Sequence, residues 1–187
     1  DSIKPTPLCV DTFIVQLNSS GSFSLDTSHI NNNSFDNCGI QAWVLSDSLF
    51  TCNQLGFDTV QLTLTDFSGN QNTCSTIIHV IDTTRPSPFC FGDTTVYLDS
   101  LGFINLDSSF VDQSSFDNCG IASWTLSDTT FNCTQIDTFS ITYTIFDGSG
   151  NSNQCVTNVI VVDSLPPNLL TKNDTVWLDS SGVASID

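Results

Sequence analysis

Six aspartates recur at a spacing that could hold metal ions. Asp1, Asp36 and Asp66 are matched, at one constant offset along the chain, by Asp82, Asp117 and Asp147. In each triad one Asp lies four residues before a proline (Pro5, Pro86). A second sits inside SFDNCGI, which occurs at 34–40 and again at 115–121. The third opens a turn, DFSGN at 66–70 or DGSGN at 147–151. Carboxylates brought together without Lys or Arg repel one another. A bound Ca²⁺, with about 6–8 oxygen ligands at about 2.3–2.6 Å, would relieve that repulsion. The competing reading is turn chemistry alone, because Asp, Asn, Ser and Gly are ordinary turn residues.

Cysteine is the other reactive side chain. Eight Cys share the chain with two His, two Lys and one Arg, so activated thiols are poorly supported and disulfides in an oxidising compartment are expected. No CxxC spacing is present, which argues against a Cys-based metal site. His29 and His79 have no counterpart one repeat away, and no nucleophile–base pair can be assembled, so an enzyme is not expected. The formal net charge of −17 disfavours nucleic acid and anionic membrane surfaces as partners. No apolar run is long enough to insert in a bilayer.

The elements that must position these residues follow from composition and pattern. All 20 acidic residues are Asp, Met and Glu are absent, and only three Ala occur, so good helix formers are scarce. In TVQLTLTD (59–66) and ITYTIFD (141–147), apolar residues alternate with polar ones at the two-residue period of a half-buried strand. CSTIIHVID and CVTNVIVVD follow after the Ser-Gly-Asn turn. The whole chain matches itself at a shift of 81, placing Cys9, Cys38, Cys52 and Cys74 on Cys90, Cys119, Cys133 and Cys155. The reading is an all-β chain of tandem immunoglobulin-like sandwiches: repeat 1 at 1–81, repeat 2 at 82–162, and the first strands of an incomplete repeat 3 at 163–187. About seven strands are expected per unit, with Trp43 and Trp124 in the cores. Because the third copy stops partway, a window from a longer protein is expected. Val176, Leu178 and Ile186 should then be covered by later residues or another chain.

In such a sandwich SFDNCG becomes the B–C loop and D-x-S-G-N the F–G loop, both at the N-terminal pole. The linker Asp arrives at that same pole. Asp82 should therefore meet Asp117 and Asp147, and Asp1 should meet Asp36 and Asp66, with Pro86 and Pro167 stiffening the joints.

The order Asp-x-x-x-Pro, Cys, DNCGI, Cys, D-x-S-G-N, Cys resembles the hyalin-repeat (HYR) family. It is most similar to the tandem form on large Bacteroidota-type cell-surface adhesins, gliding-motility adhesins included. The resemblance implies an immunoglobulin-like fold, an extracellular place on a bacterial surface, and a role in adhesion or in spacing an adhesive tip. One position departs: Thr171 stands where Cys90 predicts a cysteine.

Four Cys per unit allow three internal pairings. If Cys74 paired forward with Cys90, Cys155 would need a cysteine at 171, so Cys9–Cys74 and Cys90–Cys155 are expected. Cys38–Cys52 and Cys119–Cys133 would then clip the segment carrying each Trp. The function expected is an extracellular spacer or adhesive repeat, rigidified by disulfides and interdomain Ca²⁺. Its partners would be cell-surface or matrix polysaccharide or neighbouring copies of itself. The alternatives are a filament subunit completed by a neighbouring chain, or an accessory carbohydrate-binding module of a secreted enzyme.

Overall fold

Polar–apolar alternation lays down six strands in the first unit: β1 (Thr12–Gln16), β2 (Ser22–Ser24), β3 (Ile40–Leu45), β4 (Leu49–Thr51), β5 (Gly56–Asp66) and β6 (Gln71–Ile81). The second unit repeats them as β7 (Thr94–Tyr97), β8 (Phe103–Asn105), β9 (Ile121–Leu126), β10 (Thr130–Asn132), β11 (Thr138–Asp147) and β12 (Ser152–Val162). The computed structural model describes residues 1–170 and 175–183, so Thr171 and Ile186 lie outside the described residues.

Each unit is a two-layer β-sandwich. One layer has four strands, in the order β1-β6-β5-β3 and then β7-β12-β11-β9; the other pairs β2 with β4 and β8 with β10. β5 and β6 form a long antiparallel hairpin from Gly56↔Val80 to Thr65↔Gln71. β1 runs parallel to β6, with Thr12 opposite Ile77. Each unit forms six strands where about seven are expected, and ahead of β1 lie isolated bridges, Thr6↔Phe35 and Cys9↔Asn31.

The alternating residues build two cores that match position by position. Val15, Leu17, Leu25, Ile30, Phe50, Val60, Leu62, Leu64, Ile78 and Val80 form the first. Each has its counterpart one repeat further on in the second, from Val96 to Val161, with Phe131 in the place of Phe50. The two Trp are not the centres of these cores. Trp43 and Trp124 remain 37% and 40% exposed. They lie on β3 and β9, edge strands of the larger sheets, so one flank of each indole has no neighbouring strand to cover it. Phe50 and Phe131, from the smaller sheets, are the largest fully buried side chains.

A short helix, α1 (Thr27–Ile30), sits between β2 and β3 under a capping box. Asp26 accepts a hydrogen bond from the Ser28 N–H at 2.8 Å, and His29 Nδ1 accepts one from the Asp26 N–H at 2.9 Å. His29 packs on Phe13 and Phe23, and His79 stacks on Phe57; both are structural. In the second unit Asp107 caps a 3₁₀ turn through Ser109. Hydrogen bonds from the Ser28 backbone and hydroxyl hold the Asp26 carboxyl below its ordinary value, and those from the Ser109 hydroxyl and backbone do the same for Asp107. A depressed folded-state pKa means stability that is present above the ordinary carboxylate value and lost as pH falls through the folded value. Both units should therefore weaken below about pH 4. Asp26→Asn with Asp107→Asn keeps both caps, since Asn also caps well. The double variant should flatten this acid limb in urea titrations run at stepped pH.

The disulfides divide into two kinds. Cys9–Cys74 and Cys90–Cys155 lie within their units, each spanning 65 residues. The expected Cys38–Cys52 and Cys119–Cys133 bonds are not formed. Cys52 instead bonds Cys119 across the joint, with Cα atoms 5.3 Å apart, and Cys38 and Cys133 are free and exposed. The reason is the length of β5. Cys38 precedes Ile40, which pairs with Asp66 at the end of that strand; Cys52 opens the 3₁₀ turn leading into its start at Gly56. Eleven residues separate those two poles, about 35 Å of extended chain. Cys52 faces the next unit, where the loop carrying Cys119 arrives.

After Val162 the described residues contain no strand. Val176 and Leu178 are 46% and 70% exposed. Among the described residues no helix is long and apolar enough to cross a membrane.

Candidate metal centre

Each triad is assembled by three backbone devices. The F–G loops are Asx turns. Asp147 Oδ1 accepts the Ser149 and Asn151 N–H groups at 2.9 and 2.8 Å, and Oδ2 accepts the Asn151 amide at 2.7 Å. Asp66 is held in the same way by Ser68 and Asn70. Burial raises the Asp66 carboxyl, but the hydrogen bonds from the Asn70 side chain and the Asn70, Ser68 and Gly69 backbone outweigh it, and the group stays below its ordinary value.

The B–C loops turn on their own Asp. Asp36 Oδ2 accepts the Cys38 N–H and Asp117 Oδ2 the Cys119 N–H, each at 2.8 Å. Gly39 and Gly120 follow at φ +98, a left-handed conformation that a side chain would strain. The linker is tied down by Asn151, whose amide donates to the Asp82 carbonyl at 3.2 Å; Asn70 does the same for the Asp1 carbonyl at 3.1 Å.

These devices bring both predicted triads together. Within Asp1, Asp36 and Asp66, and within Asp82, Asp117 and Asp147, one carboxylate oxygen from each residue lies within 4.8 Å of the others. The two centres differ in cover. The difference lies in the linker residue: Asp1 is exposed, whereas Asp82, which follows the first unit, is 5% exposed; Asp66 and Asp147 are buried in both centres. Carboxylates this close, shielded from water, repel by on the order of a few kcal/mol per pair at an effective dielectric near 20.

The donor set fits a hard divalent cation. Asp36 Oδ1, Asp82 Oδ2, Asp117 Oδ1 and Asn118 Oδ1 are buried and have no hydrogen-bond partner. Buried polar atoms are normally satisfied. Two of these orphans, Asp82 Oδ2 and Asp117 Oδ1, belong to residues of the triad at the joint; Asn118 follows Asp117 and donates its amide to Asp82, and all four orphans are oxygens. No free thiol or imidazole belongs to either cluster among the described residues, which separates this set from the N/S sites that zinc prefers.

Asn118 is a site residue that the carboxylate pattern alone missed. Its amide donates to Asp82 Oδ1 at 3.1 Å and to the Asn18 carbonyl of the preceding unit at 3.2 Å. The signal was present: Asn37 and Asn118 sit at the same place in both copies of SFDNCGI.

No protein-family model matches the sequence, and no curated protein matches it. Solved structures with a likeness to it include the protocadherin gamma B7 extracellular cadherin domains 1-4, at 13% identity and a TM-score of 0.34, covering 86% of this chain and 51% of that one. Human mucin-like protocadherin EC1-2 aligns at 12% identity and a TM-score of 0.36, covering 85% and 100%. Drosophila N-cadherin EC1-4 aligns at 14% identity and a TM-score of 0.39, covering 85% and 50%. The chain thus spans about half the length of the first and last of these. No residue of this chain takes a role from these likenesses.

Proposed function

We propose that this chain is a non-enzymatic, extracellular tandem-repeat segment of a bacterial cell-surface adhesin or stalk, of the hyalin-repeat kind. Its units are stiffened by disulfides and by calcium at their joints. The observation that carries the calcium reading is the set of orphaned oxygens on Asp82, Asp117 and Asn118 at the covered joint. Asp82, Asp117, Asp147 and Asn118 would hold the ion there, and Asp1, Asp36 and Asp66 would hold one at the exposed pole. The ion supplies positive charge that cancels carboxylate repulsion; it performs no reaction.

The chain's own residues supply the geometry. Asp147 fixes the F–G loop, Asp117 fixes the B–C loop, and Asp82 comes from the linker. A cation that binds all three locks one unit against the next. The Cys52–Cys119 bond adds a covalent strut at the same joint. Repetition favours a stalk, since length is what a stalk needs. Its partners are surface polysaccharide or further copies of the chain.

Titration calorimetry of the whole chain should register Ca²⁺ uptake. The joint should gain about 2.7 kcal/mol when free Ca²⁺ is about a hundredfold above its dissociation constant. Asp117→Asn keeps an oxygen for the Cys119 N–H but removes one charge. It should weaken uptake at the joint while circular dichroism stays unchanged. No heat on titration, together with a melting curve indifferent to chelator, would return these Asp residues to turn capping.

A further inference from the structure

The outer face of the first unit's larger sheet carries side chains that the core does not use. Strand register sets them in rows across β1, β6 and β5. Ile14, His79 and Phe57 stand opposite one another in one row, and Thr12, Ile77 and Thr59 in the next. The residues between them along the strands, such as Val15, Val60, Ile78 and Val80, belong to the core. Sheet alternation therefore turns all six positions outward.

Three of the six are apolar and open to solvent: Phe57 is 77% exposed, Ile14 61% and Ile77 47%. The second unit has the same strands but other residues at these places. Thr95, Ile160 and Thr138 form its first row, and Asp93, Asn158 and Ser140 stand where its second would be. Five of those six are polar, so the fold does not require the apolar set.

Thr12, Phe57, Thr59 and Ile77, together with Asp58, line an open groove of about 500 Å³. His79 backs the Phe57 ring, with centroids 4.2 Å apart and planes 13° from parallel. That stacking steadies a ring that would otherwise turn freely at an exposed site. Asp58 Oδ1 accepts the Thr59 N–H at 2.7 Å, which holds the carboxylate at the rim and leaves Oδ2 to meet a ligand. Thr12 and Thr59 are exposed, and each brings a hydroxyl.

We propose that this groove binds a neutral glycan, with a sugar ring laid on Phe57 and its hydroxyls bonded by Asp58, Thr12 and Thr59. The proposal rests on the adhesin reading and deepens it, because it gives the polysaccharide partner a place and a charge class. Ligand pockets combine a mostly apolar lining with a few polar groups that fix orientation. A pyranose has the same division, with C–H groups across its faces and hydroxyls round its rim. The C–H face packs on an aromatic ring, and the rim hydroxyls donate to a carboxylate.

Charge and size select the occupant. Of the groove's lining residues only Asp58 is charged, and the chain carries a formal −17. Acidic polymers are repelled by both. A second copy would bring the same negative charge. It would also need about 20–30 residues a side for a stable interface. The six positions span only about 10 Å across three strands and about 7 Å along them.

The test is affinity electrophoresis of the whole chain in native gels, each cast with one soluble polysaccharide. Dextran, mannan and galactan are the neutral probes, and alginate is the acidic one. At least one neutral polymer should slow the chain, and alginate should not. With the polymer that binds, Phe57→Ala should raise the apparent dissociation constant at least tenfold, Asp58→Asn by a smaller factor, and Phe57→Tyr should keep binding. Both residues are exposed, so circular dichroism and melting temperature should stay as in the parent. Free migration in every neutral gel, retardation by alginate alone, or binding indifferent to Phe57→Ala would overturn the proposal. So would a concentration-dependent dimer that Phe57→Ala abolishes, since the face would then belong to a second copy. Calcium uptake is read separately by calorimetry. A chain that takes up Ca²⁺ and runs free in every neutral gel keeps the stalk and loses the groove; one that is slowed without taking up Ca²⁺ keeps the groove and loses the calcium joint.

Discussion

Replacing Cys9 and Cys74 together by Ser is expected to lower the melting temperature of the first unit by about 15–30 °C and to leave the second unit's transition in place. The bond closes a loop of 65 residues. In the chain-entropy model a loop of that size is worth about 4 kcal/mol, within the roughly 2–5 kcal/mol typical of small secreted domains. A unit the length of one repeat has roughly 4–12 kcal/mol of total stability. Losing the bond consumes a large part of that. Cys9 also sits at an isolated bridge to Asn31, and the Thr76 hydroxyl donates to the Val10 carbonyl at 2.8 Å. The bond therefore anchors the entry segment to β6 where only sparse hydrogen bonds hold it. Differential scanning calorimetry of the double variant resolves the two units. A first transition that stays where it was would show that the bond is redundant with the sheet.

The same residues show what a sequence does and does not disclose. Strands β5 and β11 were legible because every second residue, such as Val60, Leu62 and Leu64, had to face one core. The acidic triads were legible because sandwich topology dictates which loops share a pole, and loop identity follows from strand order alone. Bonds between units were not legible in that way. A tandem repeat makes Cys38 and Cys119 equivalent letters, so counting cannot say whether Cys52 bonds backward within its unit or forward to the next. What decides is a length: β5 separates Cys38 from Cys52 by a full strand. The tryptophans failed for a similar reason. Residue type predicted burial, but edge position in the sheet left each indole open on one side. Asn118 was visible as a repeated residue, but its role was not, because it needs the carbonyl of Asn18, a hundred residues away and in the other unit.

Phe131→Ala should unfold the second unit at a temperature where the first remains native. Phe131 is 1% exposed and packs against Phe139 with ring centroids 4.8 Å apart. Truncating a buried Phe costs about 3–5 kcal/mol through lost transfer energy and the cavity left behind. β10 is three residues long and sits in a two-stranded sheet, so little backbone pairing remains to hold that layer once its anchor is gone. The first unit has its own core around Phe50 and, among the described residues, shares no buried apolar residue with the second. Of the partly buried apolar residues packed against the first core, Cys119 alone among the described residues comes from the second unit, and it is bonded to Cys52. Hydrogen exchange read by mass spectrometry should therefore show protection lost across β9, β11 and β12 and kept across β5 and β6. The Cys52–Cys119 tether should confine the opened unit beside the folded one. Loss of protection in both units at once would mean that the joint, and not the separate cores, sets the cooperativity of the chain.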